Sequence, residues 1–333
     1  MFFLVVTAVI SVLFGITMFK RSSSPVMKSL EKKHVVITGG SSGIGLAMAK
    51  EVLLQGGFVT LISRSAANLE GAAEKLVKDL SCNPDKIFSK AADVSNYRAI
   101  SQAIQEAFQW RPIDVLICNA GLTRGGNLET QTVEDMNLTM HTNFNGTVYT
   151  VHAALPLLKM HSKEHHVSIV LVGSLASMFF FYGHSVYTAA KHAVKGFAES
   201  LKFELMPYDI HVSLACPGFV DTAFLDEVEN DKENIKLLKI MNFYDRGSAE
   251  KPTGVAKIIL EGAKKGTYLI TTKINYPGLF VSTVARGFVP AETVGRFLVE
   301  MFLYFPFRAL SVLAMSDFRK EVRNHFSRNQ VSK

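Results

Sequence analysis

Short apolar runs rich in β-branched residues recur along the first two thirds of the chain, each followed by a helical stretch. The runs are His34–Thr38, Phe58–Ser63, Ile87–Ala92, Asp114–Cys118, Val167–Val172 and Ile210–Ala215. Each is short, apolar and bounded by polar or glycine-containing segments, which is the pattern of a buried strand. Between them, apolar spacing predicts helices over Ile44–Gln55, Ala66–Leu80, Tyr97–Phe108, a long one over Val133–Met160, and Ser185–Met206. Strands alternating with helices of this length indicate βαβ units and a parallel sheet covered on both faces. The expected fold class is α/β, a doubly wound parallel sheet.

The two ends of the chain follow a different pattern. Met1–Phe19 is apolar with no charged side chain, and Lys20-Arg21 follows at once. At about 1.5 Å per residue such a helix nearly crosses a hydrocarbon core of about 30 Å. A cleaved signal peptide would carry its charge before the apolar run and a small-residue site after it. Here the charge comes after, so 1–19 is expected to be an uncleaved N-terminal membrane anchor. The positive-inside rule then puts the body on the cytoplasmic side. Residues 20–32 are expected to be a polar linker to a domain spanning 33–272.

From 273 to 333 the chain reads as a hydrophobic C-terminal extension with a basic tail. Tyr276–Val289 and Phe297–Met315 are rich in Phe, Leu and Val, but Arg286 interrupts the first, and Glu300, Pro306 and Arg308 the second. A charge near the bilayer centre costs about 2.5–3.5 kcal/mol, which disfavours a simple double span. A membrane-embedded or interfacial hairpin is expected. The alternative is a soluble cap on the sheet or a dimer interface.

Composition narrows the partners. The 333 residues carry a net charge of +7, much of it in Lys20–Lys33 and Arg319–Lys333. Basic segments beside apolar runs suit a membrane surface rather than a nucleic-acid face, so no nucleic-acid partner is expected. Cys82, Cys118 and Cys216 are scattered, which fits neither a disulfide framework nor a metal site.

The candidate chemistry lies at strand ends. Gly39-Gly-Ser-Ser-Gly-Ile-Gly45 falls between a strand and a helix. Gly39, Gly43 and Gly45 permit a tight turn and close backbone approach. Ser41 and Ser42 add hydroxyls, and the helix opening at Ile44 offers N–H groups and a positive dipole end to a pyrophosphate. The second strand ends at Ser63-Arg64, with no acid until Glu70. An arginine there suits the 2′-phosphate of NADPH rather than the ribose hydroxyls of NAD. Tyr187 and Lys191 stand four apart on one helix face, where the ammonium would lower the phenol pKa and fit it for proton transfer. Ser174 follows a buried strand and presents a hydroxyl to a carbonyl oxygen.

Taken in order, these residues resemble the short-chain dehydrogenase/reductase family over Lys33–Thr272. The matching features are Thr38-Gly39-x-x-x-Gly43-x-Gly45, Asp93, Asn119-Ala-Gly121, Asn143, Ser174, Tyr187, Lys191 and Pro217-Gly-Phe-Val-Asp-Thr222. The resemblance implies a Rossmann-like sheet that binds a nicotinamide cofactor. It assigns Asp93 to the adenine amino group, Asn119 to the segment that steadies the sheet, and Pro217, Val220 and Thr222 to the nicotinamide. Ser174 would orient the substrate carbonyl and Tyr187 donate the proton. Lys191 would tune Tyr187 and hold the nicotinamide ribose, and Asn143 would anchor a water leading to Lys191. One position departs from the family pattern: Asn68 stands where a lysine often helps grip the 2′-phosphate.

Among members of that family the chain is similar to those that reduce a long-chain lipid ketone with NADPH at the endoplasmic reticulum membrane, the catalytic domain facing the cytoplasm. Family members are often homo-oligomers, so self-association is implied as well. A steroid, retinoid or 3-ketoacyl-CoA reductase is the alternative enzyme. A catalytically silent NADP(H)-binding membrane scaffold is the alternative of another class, and the intact Asn143, Ser174, Tyr187 and Lys191 argue against it. Ala223–Arg246 mixes apolar residues suited to an alkyl chain with Asp226, Glu227, Glu229 and Asp231, acids that would attract a protonated amine.

Overall fold

Seven parallel strands form one sheet in the order β3-β2-β1-β4-β5-β6-β7. They are β1 (His34–Thr38), β2 (Phe58–Ser63), β3 (Ile87–Ala91), β4 (Val115–Cys118), β5 (Val167–Val172), β6 (Ile210–Cys216) and β7 (Leu269–Thr271). The structure, a computed structural model, describes residues 26–230 and 246–272. The expected membrane anchor at 1–19 and the extension at 273–333 lie outside the described residues. Among the described residues no helix is long and apolar enough to cross a membrane.

The central strands are near-continuous Val, Ile and Leu because helices cover both faces. β1 and β5 are buried at every position. The helices are α1 (Gly43–Leu54), α2 (Ala66–Leu80), α3 (Tyr97–Trp110), α4 (Val133–Met140), α5 (Gly146–His161), α6 (Ser185–Glu204), α7 (Ala223–Asn230) and α8 (Pro252–Lys265). Most helix ends fall within a residue or two of the sequence reading. The long helix expected over Val133–Met160 is instead two helices joined by a π-helical turn at His141–Asn145. The sequence reading also lacked α8 and β7. Proline opens α8, and Gly266, at φ 67°, closes it in the left-handed region that glycine tolerates.

The segment expected to be a linker is packed against the domain at its C-terminal part. Met27 and Leu30 are buried, and the Met27 N–H donates to the Lys264 carbonyl at 2.9 Å. At the N-terminal ends of the strands, Asp114 accepts from Lys33 Nζ (2.8 Å) and the His34 N–H (2.9 Å).

β1 pairs with β2 on one side and β4 on the other, so Thr38 lies level with Ile62 and Cys118. The chain reverses its direction of travel across the sheet between β1 and β4. In open parallel sheets the crevice at that switch point, outside the carboxyl ends of the strands, is where ligands bind.

Candidate active site

The carboxyl ends of β1 and β4 are tied together by side chains. Thr38 Oγ1 accepts from the N–H groups of Asn119 (3.0 Å) and Ala120 (3.1 Å). Asn119 Nδ2 donates to the carbonyls of Thr38 (3.1 Å) and Gly39 (3.2 Å). The glycine turn is thus held in shape from the neighbouring strand. Gly39 sits at φ +65°, and a Cβ on Gly45 would lie 2.1 Å from the Gly39 oxygen, so neither position admits a side chain. α1 begins behind Ser42, whose side chain makes no capping bond. This leaves a glycine-lined cradle at the positive end of a helix, which fits the pyrophosphate of a nicotinamide dinucleotide.

One cavity runs from this cradle across the strand ends. It is lined by Gly39, Ser42, Gly43, Ile44, Asn119, Asn143, Ser174, Tyr187, Lys191, Pro217, Val220 and Thr222. The other predicted cofactor residues, Ser41, Gly45, Arg64 and Asp93, lie outside that lining. Gly45 is buried beneath the turn, and Ser41 is half-buried within it. The Gly39 N–H donates to the Ile62 carbonyl at 2.8 Å, placing the turn beside the end of β2. Arg64 is exposed just past that end. Asp93, just past β3, accepts from the N–H (2.8 Å) and hydroxyl (2.7 Å) of Ser95.

Ser174 leaves β5 in an extended conformation, and its Oγ accepts from the Ala176 N–H at 3.1 Å. Ser177, fully buried, accepts from the Ser174 N–H at 3.2 Å and is hydrogen-bonded to Cys216. Ser177 therefore fixes the backbone that carries Ser174. On α6 the four-residue spacing brings Tyr187 and Lys191 to the same end of the cavity. Tyr187 is hydrogen-bonded to Ser174. Lys191 Nζ donates to the Val172 carbonyl at 3.1 Å and lies 5.7 Å from the centre of the Tyr187 ring.

Burial dominates the ionisation of this pair. It pushes the Tyr187 phenol up to about 12, outweighing the hydrogen bond from Ser174, and the nearby Cys216 adds to the rise. It pulls the Lys191 ammonium down to about 8, with Cys216 acting weakly the other way. The expected lowering of the Tyr187 pKa by Lys191 is not what this geometry produces. The ammonium is directed at a carbonyl, and loss of water around the phenol is the larger effect. A phenol held neutral at pH 7 is a proton donor.

Asn143 lies inside the π-helical turn. Its Nδ2 donates to the carbonyls of Leu122 (2.8 Å) and Thr139 (2.8 Å), and its Oδ1 accepts from the Leu122 N–H (3.3 Å). Both amide hydrogens are used, so the side chain holds the segment after β4 against the helix.

Part of the cavity lining is apolar. Phe181, Phe219, Phe224, Leu225 and Val228 form it, with His184 beside them. Phe224 stands 6.3 Å from the Tyr187 ring, and Phe181 meets Phe219 edge to face at 5.9 Å. Phe224 and Leu225 fall in the segment Ala223–Arg246 expected to take an alkyl chain, and Phe219 in the motif Pro217–Thr222, whereas Phe181 and His184 are not expected as wall residues. The aromatic run Phe179-Phe-Phe181 was the available signal for Phe181. Two of the four acids expected to attract an amine are already engaged. Arg246 pairs with Asp226 at 2.9 Å and Glu229 at 2.8 Å, while the Glu227 side chain and Asp231 lie outside the described residues.

Residues 33–233 match the model of the short chain dehydrogenase family. The chain belongs to that family. A short-chain dehydrogenase is an oxidoreductase that works with a nicotinamide cofactor on a ketone or alcohol carbon. The chain is 30% identical to a 3-dehydrosphinganine reductase of Arabidopsis thaliana, over 90% of this chain and 88% of the relative. It is also 30% identical to the 3-ketodihydrosphingosine reductase of Mus musculus, with the same two coverages. Among solved structures, a short-chain dehydrogenase/reductase from Burkholderia phymatum in complex with NAD matches 77% of this chain and 93% of its own. Its TM-score is 0.68 at 23% identity. The actinorhodin polyketide ketoreductase with NADPH matches 74% of this chain and 97% of its own, with TM-score 0.64 at 24% identity. These two share the short-chain dehydrogenase fold.

Proposed function

We propose that the chain reduces 3-ketodihydrosphingosine to dihydrosphingosine with NADPH. The observation that carries the reading is that Ser174, Tyr187 and Lys191 line one cavity together with the apolar Phe181, Phe219, Phe224, Leu225 and Val228. The relatives at 30% identity, named for this reaction, support it over nine tenths of the chain. A long alkyl chain is matched by Phe224, Leu225 and Val228. The substrate amine finds no free charge in Asp226 or Glu229, so these two acids no longer favour an amino ketone over its neutral analogues.

The residues divide the work. Gly39, Ser41, Ser42, Gly43, Ile44 and Gly45 would receive the pyrophosphate, and Pro217, Val220 and Thr222 would face the nicotinamide. Arg64, exposed beyond β2 with no acid near it in sequence, supports NADPH over NADH. Asp93 stands at the adenine side. When bound, the cofactor supplies the hydride to the ketone carbon. Ser174 would turn its hydroxyl hydrogen from Tyr187 to the ketone oxygen when substrate is bound, while its own oxygen keeps accepting from the Ala176 N–H. Tyr187 then donates its phenolic proton as charge gathers on that oxygen. Lys191 keeps an ammonium beside the site, and Asn143 holds the wall behind it.

The same proposal covers the ends of the chain. Residues 1–19 anchor the protein in the endoplasmic reticulum membrane with the catalytic domain in the cytoplasm, and 273–333 associate with the bilayer. The protein self-associates. The test is turnover by the purified full chain with NADPH and NADH against an amino ketone, a 3-ketoacyl-CoA and a steroid ketone. Preferred reduction of the amino ketone with NADPH is expected. Efficient turnover of either of the others, with the amino ketone ignored, overturns the substrate assignment. Protease added to sealed microsomes is expected to reach the catalytic domain, and protection would reverse the orientation.

A further inference from the structure

We propose that Arg246 is a positioning residue for the substrate wall: it clamps α7 to the Pro217–Thr222 loop and so fixes where Phe224, Leu225 and Val228 stand. The clamp joins three carboxylates on two elements. Arg246 Nη2 reaches Asp221 Oδ1 at 2.5 Å and Asp226 Oδ1 at 2.9 Å, and Nη1 reaches Glu229 Oε2 at 2.8 Å. Asp221 belongs to the loop whose neighbours Val220 and Thr222 line the cavity. Asp226 and Glu229 are one turn apart on α7.

The helix is split by function along its length. Leu225 and Val228, also three residues apart, are 3% and 5% exposed and line the cavity. The residue after each of them is an acid bound to the guanidinium. Pulling on the acid stripe therefore sets the rotation of the apolar stripe. Arg246 has a firm base from which to pull. Four residues on, the Glu250 N–H donates to the Phe219 carbonyl at 2.9 Å, and its carbonyl accepts from the Asp221 N–H at 2.9 Å.

Charge gives the clamp a second function. Without the guanidinium, three carboxylates that share one partner would face each other, and like charges would press α7 away from the loop. A lysine cannot replace it fully. The planar fork serves three acceptors at fixed angles, whereas an ammonium is a point charge on a flexible stem.

The inference rests on the apolar wall being the substrate side, and the test separates the two. Hydrogen exchange of the amides in Ala223–Asn230 is measured in wild type, Arg246→Ala, Arg246→Gln and Arg246→Lys. In parallel, KM and kcat are measured for ketones of increasing chain length, with NADPH binding as a control. Each exposed pair is worth at most a factor of about five, so loss of three is expected to speed exchange and raise KM for the longest ketone by about tenfold. Short ketones, NADPH affinity and exchange in α6 should change less than about twofold, with the Lys variant intermediate. Adding Asp226→Asn and Glu229→Gln to the Ala variant should restore part of the protection by removing the repulsion. Unchanged exchange in Ala223–Asn230, or KM rising equally for short and long ketones, overturns the clamp. If wild type ignores the amino ketone, the substrate reading fails while the exchange data still judge Arg246.

Discussion

Lys191 Nζ donates to the carbonyl oxygen of Val172, the last residue of β5, across 3.1 Å. Burial and Cys216 are what act on its proton, with no carboxylate among them. Among the described residues, the fold therefore carries a buried ammonium whose hydrogen-bond partner is a single neutral carbonyl.

Lys191→Met is expected to stabilise the nucleotide-free protein while abolishing turnover. The Lys191 pKa is lowered from 10.5 to about 8 by burial. Between those values the unfolded chain binds more protons, so wild-type stability rises with pH across that window. The variant's advantage is thus full below pH ~8, at most about 3 kcal/mol, and gone by pH ~10.5. Thermal melting at pH 7 and pH 10 checks it. A variant less stable at pH 7 would show that the lysine stem contributes more through packing than the ammonium costs.

Tyr187→Phe keeps the ring against Phe224 and removes the proton donor. Turnover is expected to fall by about 10²–10⁴-fold with NADPH binding retained. Steady-state rates alongside NADPH fluorescence titration measure both, and near-normal turnover in a folded variant would remove Tyr187 from the chemistry.

Arg64→Ala is expected to weaken NADPH by about tenfold or more, because a hydrogen bond to a charged group is lost. NADH should bind almost as before. Equal losses for the two nucleotides would place the 2′-phosphate elsewhere.

Acid sensitivity is expected from His34. Its Nδ1 lies 3.0 Å from the Arg111 carbonyl and its Nε2 2.7 Å from the Thr60 hydroxyl, an arrangement that suits the neutral ring. Burial lowers its pKa from 6.5 to about 4, against smaller opposing effects from main-chain hydrogen bonds and Asp114. The unfolded chain binds the extra proton in that window. Stability is therefore full above pH ~6.5 and falls on acidification by up to about 3 kcal/mol at pH ~4. Urea unfolding at pH 7, 5.5 and 4.5 should show the slope, and His34→Gln should flatten it.

The sheet could be read from sequence because parallel strands covered on both faces leave unmistakable apolar runs. β7 could not, because Leu-Ile-Thr is too short to carry a period. α8 had readable signals in Pro252 and Gly266 at its two ends. In the site, the residues that belong to the motif were legible from their order. Thr38 and Ser177 were not recognised as supports, because each acts through a neighbour brought close only by folding. The pKa of Tyr187 was misjudged for a related reason: chain spacing gives the distance between two groups but not how much water surrounds them. Asp226 and Glu229 were read as free because Arg246, their partner, lies 17 residues beyond Glu229 in the chain.

The π-helical turn at His141–Asn145 adds one residue to a turn of what would otherwise be a continuous helix. It therefore acts as a phase shifter. The faces of Val133–Met140 and Gly146–His161 are offset by about 100° from the register that a single uninterrupted helix would impose. Each half can answer to its own neighbours. The residue spent on the offset lies where Asn143 grips Leu122, so any change that let the turn relax to regular winding would uncouple the wall behind Lys191 from the helix that supports it.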